Sequence, residues 1–534
     1  MGTLKIGWAR RDITVDKLTD LPGHIVYRFS RGVYDPISCT ALVVDGGDDT
    51  AIFLSVDCMS LMPFVIDEIR AKVMEKNPEI DVWKILANST HAHTGPDQRH
   101  DTREKLNLDR LMKLGYTREQ LEKERERTEI MSLRSYVDLG GLDVMSGDDY
   151  RDFLTEQASD AICEAYANRA EGGISAAYGF AVVSHSRRTV YFDDISKRPG
   201  VKLNAATALH GHAMMYGNPN DEQFSHYEAG ADHTVNLLYT FDTKGNLTGA
   251  VVNIPCPSQN TEGLRGVTAD YWTDIRREIH ARYGDIPLIG QAAASGDLSP
   301  RIMHYRKAQD RRFRLKYEGI YDDSQPENIN RELYARRDIA ERVAYAFDEA
   351  LAWAKKAIVY DAPVKHTVKT FELSRRMITD EEYEISKSDY EMYMNMKPEK
   401  IEGDEIEQLE QRSVGPSQAL RNKALMLRYE SQKQSDKHST EVHIIRIGDI
   451  AFASNQFELY MDFMHRIQAR SPFRQTFIVQ LCAQPLANSG SYLCTERANE
   501  GKGYSASRFC NVVSYEGGQE LVEKTLEELR KLSD

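Results

Sequence analysis

The chain has 534 residues, with 68 Lys and Arg against 82 Asp and Glu and a formal charge of −14. That acidic balance argues against nucleic-acid binding, which draws its affinity from clustered Lys and Arg, and no apolar run approaches the ~20 residues of a transmembrane helix. Seven scattered cysteines without a CxxC pair, and an opening segment without a signal-like apolar core, set the expectation of a cytoplasmic protein.

Short apolar strands alternate with amphipathic helices, which predicts a mixed α/β layered fold. Residues 40–46 and 51–57 read as strands on either side of the turn Gly46-Gly-Asp-Asp, and residues 62–75 as a helix. A strand over 82–89, a helix over 150–167, strands over 235–242 and 248–255, and a helix over 269–283 follow. Then come a buried strand over 286–293, a long charged helix over 332–357, and strands over 450–454 and 476–481. Residues 99–134 and 380–437 are highly charged and predicted helical. Solvated faces are the simplest reading; a lid or a contact between copies of the chain is the sharper one for 99–134, which follows a His-rich loop. Neither repeats nor a low-complexity linker divide residues 1–534, so one catalytic unit with two helical insertions is expected.

Four segments carry chemistry. In Asn88-Ser-Thr-His91-Ala-His93-Thr-Gly-Pro96, the i, i+2 spacing lets both imidazoles face one point beyond a strand end. Such a pair serves as metal ligands or as a hydrogen-bonded structural pair. Cys256, in Pro255-Cys-Pro-Ser258, also ends a strand, where a thiol can bind zinc, act as a nucleophile or be inert. Gly296-Asp-Leu-Ser299-Pro300 sets a carboxylate and a hydroxyl on one tight loop, without the GxSxG of a nucleophile elbow. Near the C-terminus, Glu458 stands where a helix is expected to begin, and Tyr492 and Tyr504 lie in Gly-rich loops.

In this order, and together with Gly7-Trp-Ala-Arg-Arg-Asp12 and the strand ending Ser55-Val-Asp57, these segments resemble the neutral/alkaline ceramidase-like hydrolases from residue 4 to about 530. The resemblance implies a ceramidase-like α/β catalytic domain and a zinc ion held by His91, Glu458 and Tyr492, with Cys256 where the family has a second histidine. It implies further that Ser299 and His93 act beside the metal and that Arg187 and Tyr504 contact the substrate, although adjacent Arg188 leaves the register open. The β-sandwich domain that follows in ceramidases has no counterpart, which puts membrane-lipid substrates in doubt. The expected activity is hydrolysis of an N-acyl amide in a small-molecule substrate by metal-activated water. The alternative is hydrolysis or elimination on a sugar-derived substrate with Cys256 and Glu458 as nucleophile and acid. An amidohydrolase TIM barrel shares the HxH pattern but needs eight regular βα units, and a binding protein on a degenerate scaffold is the non-enzymatic option. A homo-oligomer is compatible with all of these.

Overall fold

The computed structural model describes residues 3–99, 101, 105–200, 211–398, 401–488 and 490–533. Parts of both charged insertions, residues 100, 102–104 and 399–400, lie outside that set. Eight strands form the larger sheet: β1 (Lys5–Asp12), β2 (Ser38–Asp45), β3 (Thr50–Val56), β4 (Ile85–Ser89), β5 (Ala170–Phe180), β6 (Thr234–Asp242), β7 (Leu247–Ile254) and β8 (Leu288–Ala292). Their spatial order is β8-β7-β6-β5-β1-β2-β3-β4, with β3–β4 and β7–β8 parallel and the rest antiparallel. A smaller sheet, β9 (Val364–Ser374), β10 (Lys437–Ile447), β11 (Ile450–Ser454) and β12 (Gln475–Val479), runs in that order and closes with a parallel β11–β12 pair.

The two sheets pack face to face, because each presents an apolar row to the other. Leu42, Phe53, Leu86, Val251 and Ile289 of the larger sheet share one core with Ile445, Ile447, Phe452 and Phe477 of the smaller. The far face of the larger sheet is covered by helices Val65–Lys76, Gly147–Ala167, Tyr271–Tyr283 and Glu327–Ala354. That of the smaller sheet is covered by Met461–Arg470 and Tyr515–Ser533. The result is a four-layer helix–sheet–sheet–helix sandwich. Strands buried on both sides read as continuous apolar runs, which is why they stand out in the sequence.

Element boundaries differ from the sequence reading where a local hydrogen bond or backbone torsion intervenes. The strand expected from residue 82 starts at Ile85, because Asp81 accepts the Trp83 N–H and turns Val82–Lys84 into a 3₁₀ segment. The helix expected from residue 62 starts at Val65, behind Phe64 in a left-handed conformation (φ 68°). The charged insertions are helical as expected, at Leu108–Met112, Arg118–Ile130, Asp380–Met394 and Glu405–Gln432. No helix among the described residues is long and apolar enough to cross a membrane.

Phe452 is the keystone between the sheets. Its ring lies 4.9 Å from Phe53 across the interface and 4.4 Å from Phe477 beside it. Phe452→Ala is expected to cost about 3–5 kcal/mol, read as a fall in the free energy of urea unfolding. An unchanged midpoint would show that the sheets do not depend on this contact.

Candidate active site

The loops that carry the chemistry leave the C-terminal ends of parallel-paired strands. The HxH loop follows β4, the Cys256 loop β7, the Gly296–Pro300 loop β8 and the Glu458 segment β11. These exits meet at one edge of the sandwich, where Ser258 Oγ donates to the Thr90 carbonyl at 2.7 Å and the Gly296 N–H to the Leu459 carbonyl at 2.8 Å. Glu458 does not begin a helix. It forms a two-residue strand with Leu459 that pairs in parallel with Tyr492–Leu493, setting Glu458 opposite Tyr492. The helix starts at Met461, whose N–H is taken by Asp297 Oδ1 at 3.1 Å. Asp297 is therefore a helix-capping residue that clamps its loop, and burial pushes its carboxyl up to about 6. Gly296 is required at that clamp, since a Cβ there would lie 2.3 Å from the Glu458 carbonyl oxygen.

His91 sits at φ 62°, a left-handed conformation costly for a residue with a side chain. That turn points its ring inward, with Nδ1 2.9 Å from the Met59 carbonyl. A carbonyl only accepts, so the proton is on Nδ1 and a lone pair is on Nε2. That lone pair faces Glu458 Oε2 at 3.5 Å and His93 Nε2 at 3.3 Å. Burial raises the Glu458 carboxyl, while the Arg187 guanidinium and the Tyr492 hydroxyl beside it favour the carboxylate.

Arg187 closes the centre. It is wholly buried, and its Nη2 donates to the Gly296 carbonyl at 2.9 Å, to Tyr492 OH at 3.2 Å and to Glu458 Oε2 at 3.4 Å. Neighbouring Arg188, the first residue of the short strand Arg188–Tyr191, has different partners and pairs with Glu228 through Nη2 at 2.9 Å. Tertiary structure thus separates two arginines that the sequence left interchangeable.

Arg187 Nη1 donates to Gln259 Oε1 at 3.1 Å. Arginine only donates, so the Gln259 amide nitrogen faces His93 Nε2, at 2.9 Å. His93 therefore accepts at Nε2 and carries its proton on Nδ1, 2.9 Å from Glu262 Oε1. Burial dominates its titration and lowers the imidazole to about 4 despite that carboxylate. Gly23, at φ 121°, lets the chain pass so close that a Cβ would meet His93 Nδ1 at 2.3 Å. Ser299 joins the network through Tyr216, whose hydroxyl lies 3.2 Å from both Ser299 Oγ and Gln259 Oε1. Tyr504 packs edge-on against Tyr492, 6.0 Å between ring centres.

Of the eight residues singled out in sequence, the contacts above join seven. Cys256 stands apart from them: its thiol donates to the Val183 and Pro257 carbonyls, and burial raises its pKa well above the usual range. Gln259, Glu262 and Tyr216 were missed. Gln259 directly follows the Pro255–Ser258 segment already marked, whereas nothing local distinguishes Glu262 or Tyr216.

His91 Nε2 and the Glu458 carboxylate are two acceptors facing one another with the Tyr492 hydroxyl alongside, and a carbonyl fixes the far nitrogen of the imidazole as in metal-bound histidines. These three groups fit a metal; Cys256, protonated and turned to Val183, does not fit as it stands. Among the described residues, no three His, Cys, Asp or Glu side chains form a metal-binding group by themselves.

Two packed sheets, sheathed by helices and carrying a His–Glu–Tyr–Arg centre at one edge, define a neutral ceramidase-like α/β fold. The neutral ceramidase of Pseudomonas aeruginosa superimposes with a TM-score of 0.63 at 13% identity, over 99% of this chain and 75% of that one. A ceramidase complexed with C2 gives 0.61 at 13%, over 100% and 76%. No family model matches the sequence, and no curated protein sequence does.

A depressed histidine makes a pH prediction. Between about 4 and the ordinary 6.5, unfolded His93 binds a proton that folded His93 refuses. Its contribution to stability is therefore present above that window and lost as pH falls through it. His93→Gln is expected to flatten the fall in unfolding free energy between pH 6.5 and 4, measured by urea titration at successive pH values. An unaltered slope would mean that His93 takes up its proton in the fold.

Proposed function

We propose that the protein is a hydrolase of small molecules, acting on an N-acyl amide or a related bond with a zinc ion held by His91, Glu458 and Tyr492. The observation that carries this reading is the pair of lone-pair donors, His91 Nε2 and Glu458 Oε2, facing each other at 3.5 Å beside Tyr492 and Arg187. A buried arrangement of acceptor against acceptor is costly without a cation between them. When bound there, a zinc ion supplies a Lewis acid and an acidified water.

The chain's own groups do the rest. Arg187 and Tyr216 place donors beside Ser299, where an acyl oxygen gaining negative charge can be held. His93, oriented by Glu262 through Nδ1, offers Nε2 as the proton acceptor once substrate displaces the Gln259 amide. Gln259 thereby links substrate entry to the release of the base. Cys256 is the fourth expected ligand, and it would have to turn from Val183 and lose its proton to serve. The same protonated state suits a nucleophile poorly, so the sugar-cleaving alternative rests on Glu458.

Metal analysis of protein purified without added metal tests the assignment. About one zinc per chain is expected, falling sharply in His91→Ala and Glu458→Gln. Zinc retained in full by Cys256→Ala would take that residue out of the ligand set, and zinc absent from an active preparation would overturn the mechanism. Ser299→Ala is expected to lower kcat about 10²–10³-fold on whichever of a panel of N-acyl amides and aryl glycosides is cleaved. Turnover of the glycosides alone would replace the amide reading.

A further inference from the structure

A groove of about 950 Å³ opens next to the site, walled by the two charged insertions. Helix Arg118–Ile130 contributes Lys123 and Arg127, helix Glu405–Gln432 contributes Arg421 and Arg428, and Arg375 follows β9. Its floor includes Gly490 and Ser491, and the Ser491 carbonyl accepts the Glu458 N–H at 3.1 Å. Groove and centre are thus one residue apart along the chain, and one ring apart in space. The Arg421 guanidinium lies 5.4 Å from the centre of the Tyr504 ring, and Tyr504 packs on Tyr492.

The charge in this groove is not balanced. Five cationic side chains line it against three carboxylates, and the carboxylates are already engaged. Glu441 is held by Arg70 at 2.6 Å and by His443, Glu430 by Lys433 at 2.8 Å, and Glu124 by Arg127 at 3.5 Å. Among the described residues, Arg375, Arg421 and Arg428 have no carboxylate within ion-pair distance, although Glu372 and Asp436 act on Arg375, and Glu382 on Arg428, from further away. Arg428 donates only to the carbonyls of Arg376, Arg508 and Asn511. Arg375 donates to the Lys437 carbonyl and Ser431 Oγ, and Arg421 rests on the rings of Tyr504 and Phe509. Neutral acceptors satisfy their hydrogen bonds without cancelling their charge. The neighbourhood registers that excess: burial first, then Arg375 and Arg428, lowers His438 to about 4, and burial together with Arg376 lowers Arg428 to about 10.

We propose that this groove binds a carboxylate carried by the substrate, placing it so that the bond to be cleaved reaches His91 and Glu458. Its volume lies in the range of small-molecule sites, about 300–1,000 Å³, and guanidinium groups are suited to planar carboxylates. Two kinds of molecule offer that chemistry to the centre described above: N-acyl amino acids and uronic-acid oligosaccharides. The inference rests on that centre being the active site, but binding in the groove can be measured apart from turnover.

Isothermal titration of the full chain with N-octanoyl-L-glutamate and its dimethyl ester, and with trigalacturonate and its methyl ester, provides the test. One of the two acids is expected to bind, with its ester at least about tenfold weaker, and which acid binds identifies the source of the carboxylate. Arg421→Gln and Arg375→Gln are each expected to weaken the acid about tenfold. Arg474→Gln, which removes an exposed charge elsewhere, is expected to leave binding unchanged. Thermal unfolding of each variant confirms that it folds; Arg421 makes only ring contacts, so its variant keeps the measurement interpretable if Arg375→Gln fails. Equal binding of acid and ester, indifference of the acid to both groove variants, or failure of both acids to bind would overturn the proposal. An acid that binds without being cleaved would leave the groove standing and remove the hydrolase reading instead.

Discussion

A guanidinium shielded from water holds the centre together. Arg187 donates to the Gly296 carbonyl, Tyr492, Glu458, Gln259 and Tyr216, and so ties the loops after β7 and β8 to both partners of the short Glu458–Tyr492 pairing. A buried cation left without such partners would cost several kcal/mol, so each of these segments has to arrive in place for the rest to be stable. Because arginine donates and never accepts, it also sets the direction of the hydrogen bonds beyond it. The Gln259 amide, the His93 tautomer and hence the role of Glu262 follow from that one constraint.

The sandwich makes this convergence possible. The two sheets share an apolar core, and the segments that leave β4, β7, β8 and β11 are joined to one another by hydrogen bonds. They meet at one edge, where backbone N–H groups such as those of Thr90, Gly296 and Glu458 find carbonyls and polar side chains gather without being forced into the core. The strained His91 and the close approaches at Gly23 and Gly296 all fall on this edge. Local strain is tolerated there because the packed sheets behind it are not strained, a distribution common to functional sites.

The charged insertions change meaning in three dimensions. As sequence, residues 99–134 and 380–437 are solvated helices. In the structure, one helix from each turns basic residues toward a shared groove, and two of its three carboxylates are held by cations outside it, Glu441 by Arg70 and Glu430 by Lys433. Net charge says nothing of this, since a chain at −14 can still present a locally positive cleft.

What the sequence determined by itself was the layered α/β class, eight of the twelve strands of the two sheets to within a few residues, and a short roster of reactive side chains at strand ends. Apolar periodicity and residue type are local properties, and strands buried on both faces advertise themselves. The sequence could not decide which of Arg187 and Arg188 enters the centre, that Glu458 pairs with Tyr492 instead of starting a helix, or that Glu262 and Tyr216 belong to the site at all. Nor could it show that the Cys256 thiol turns to the Val183 carbonyl. Each of those outcomes depends on register or side-chain direction between segments tens to hundreds of residues apart, and only close packing of the two sheets sets them.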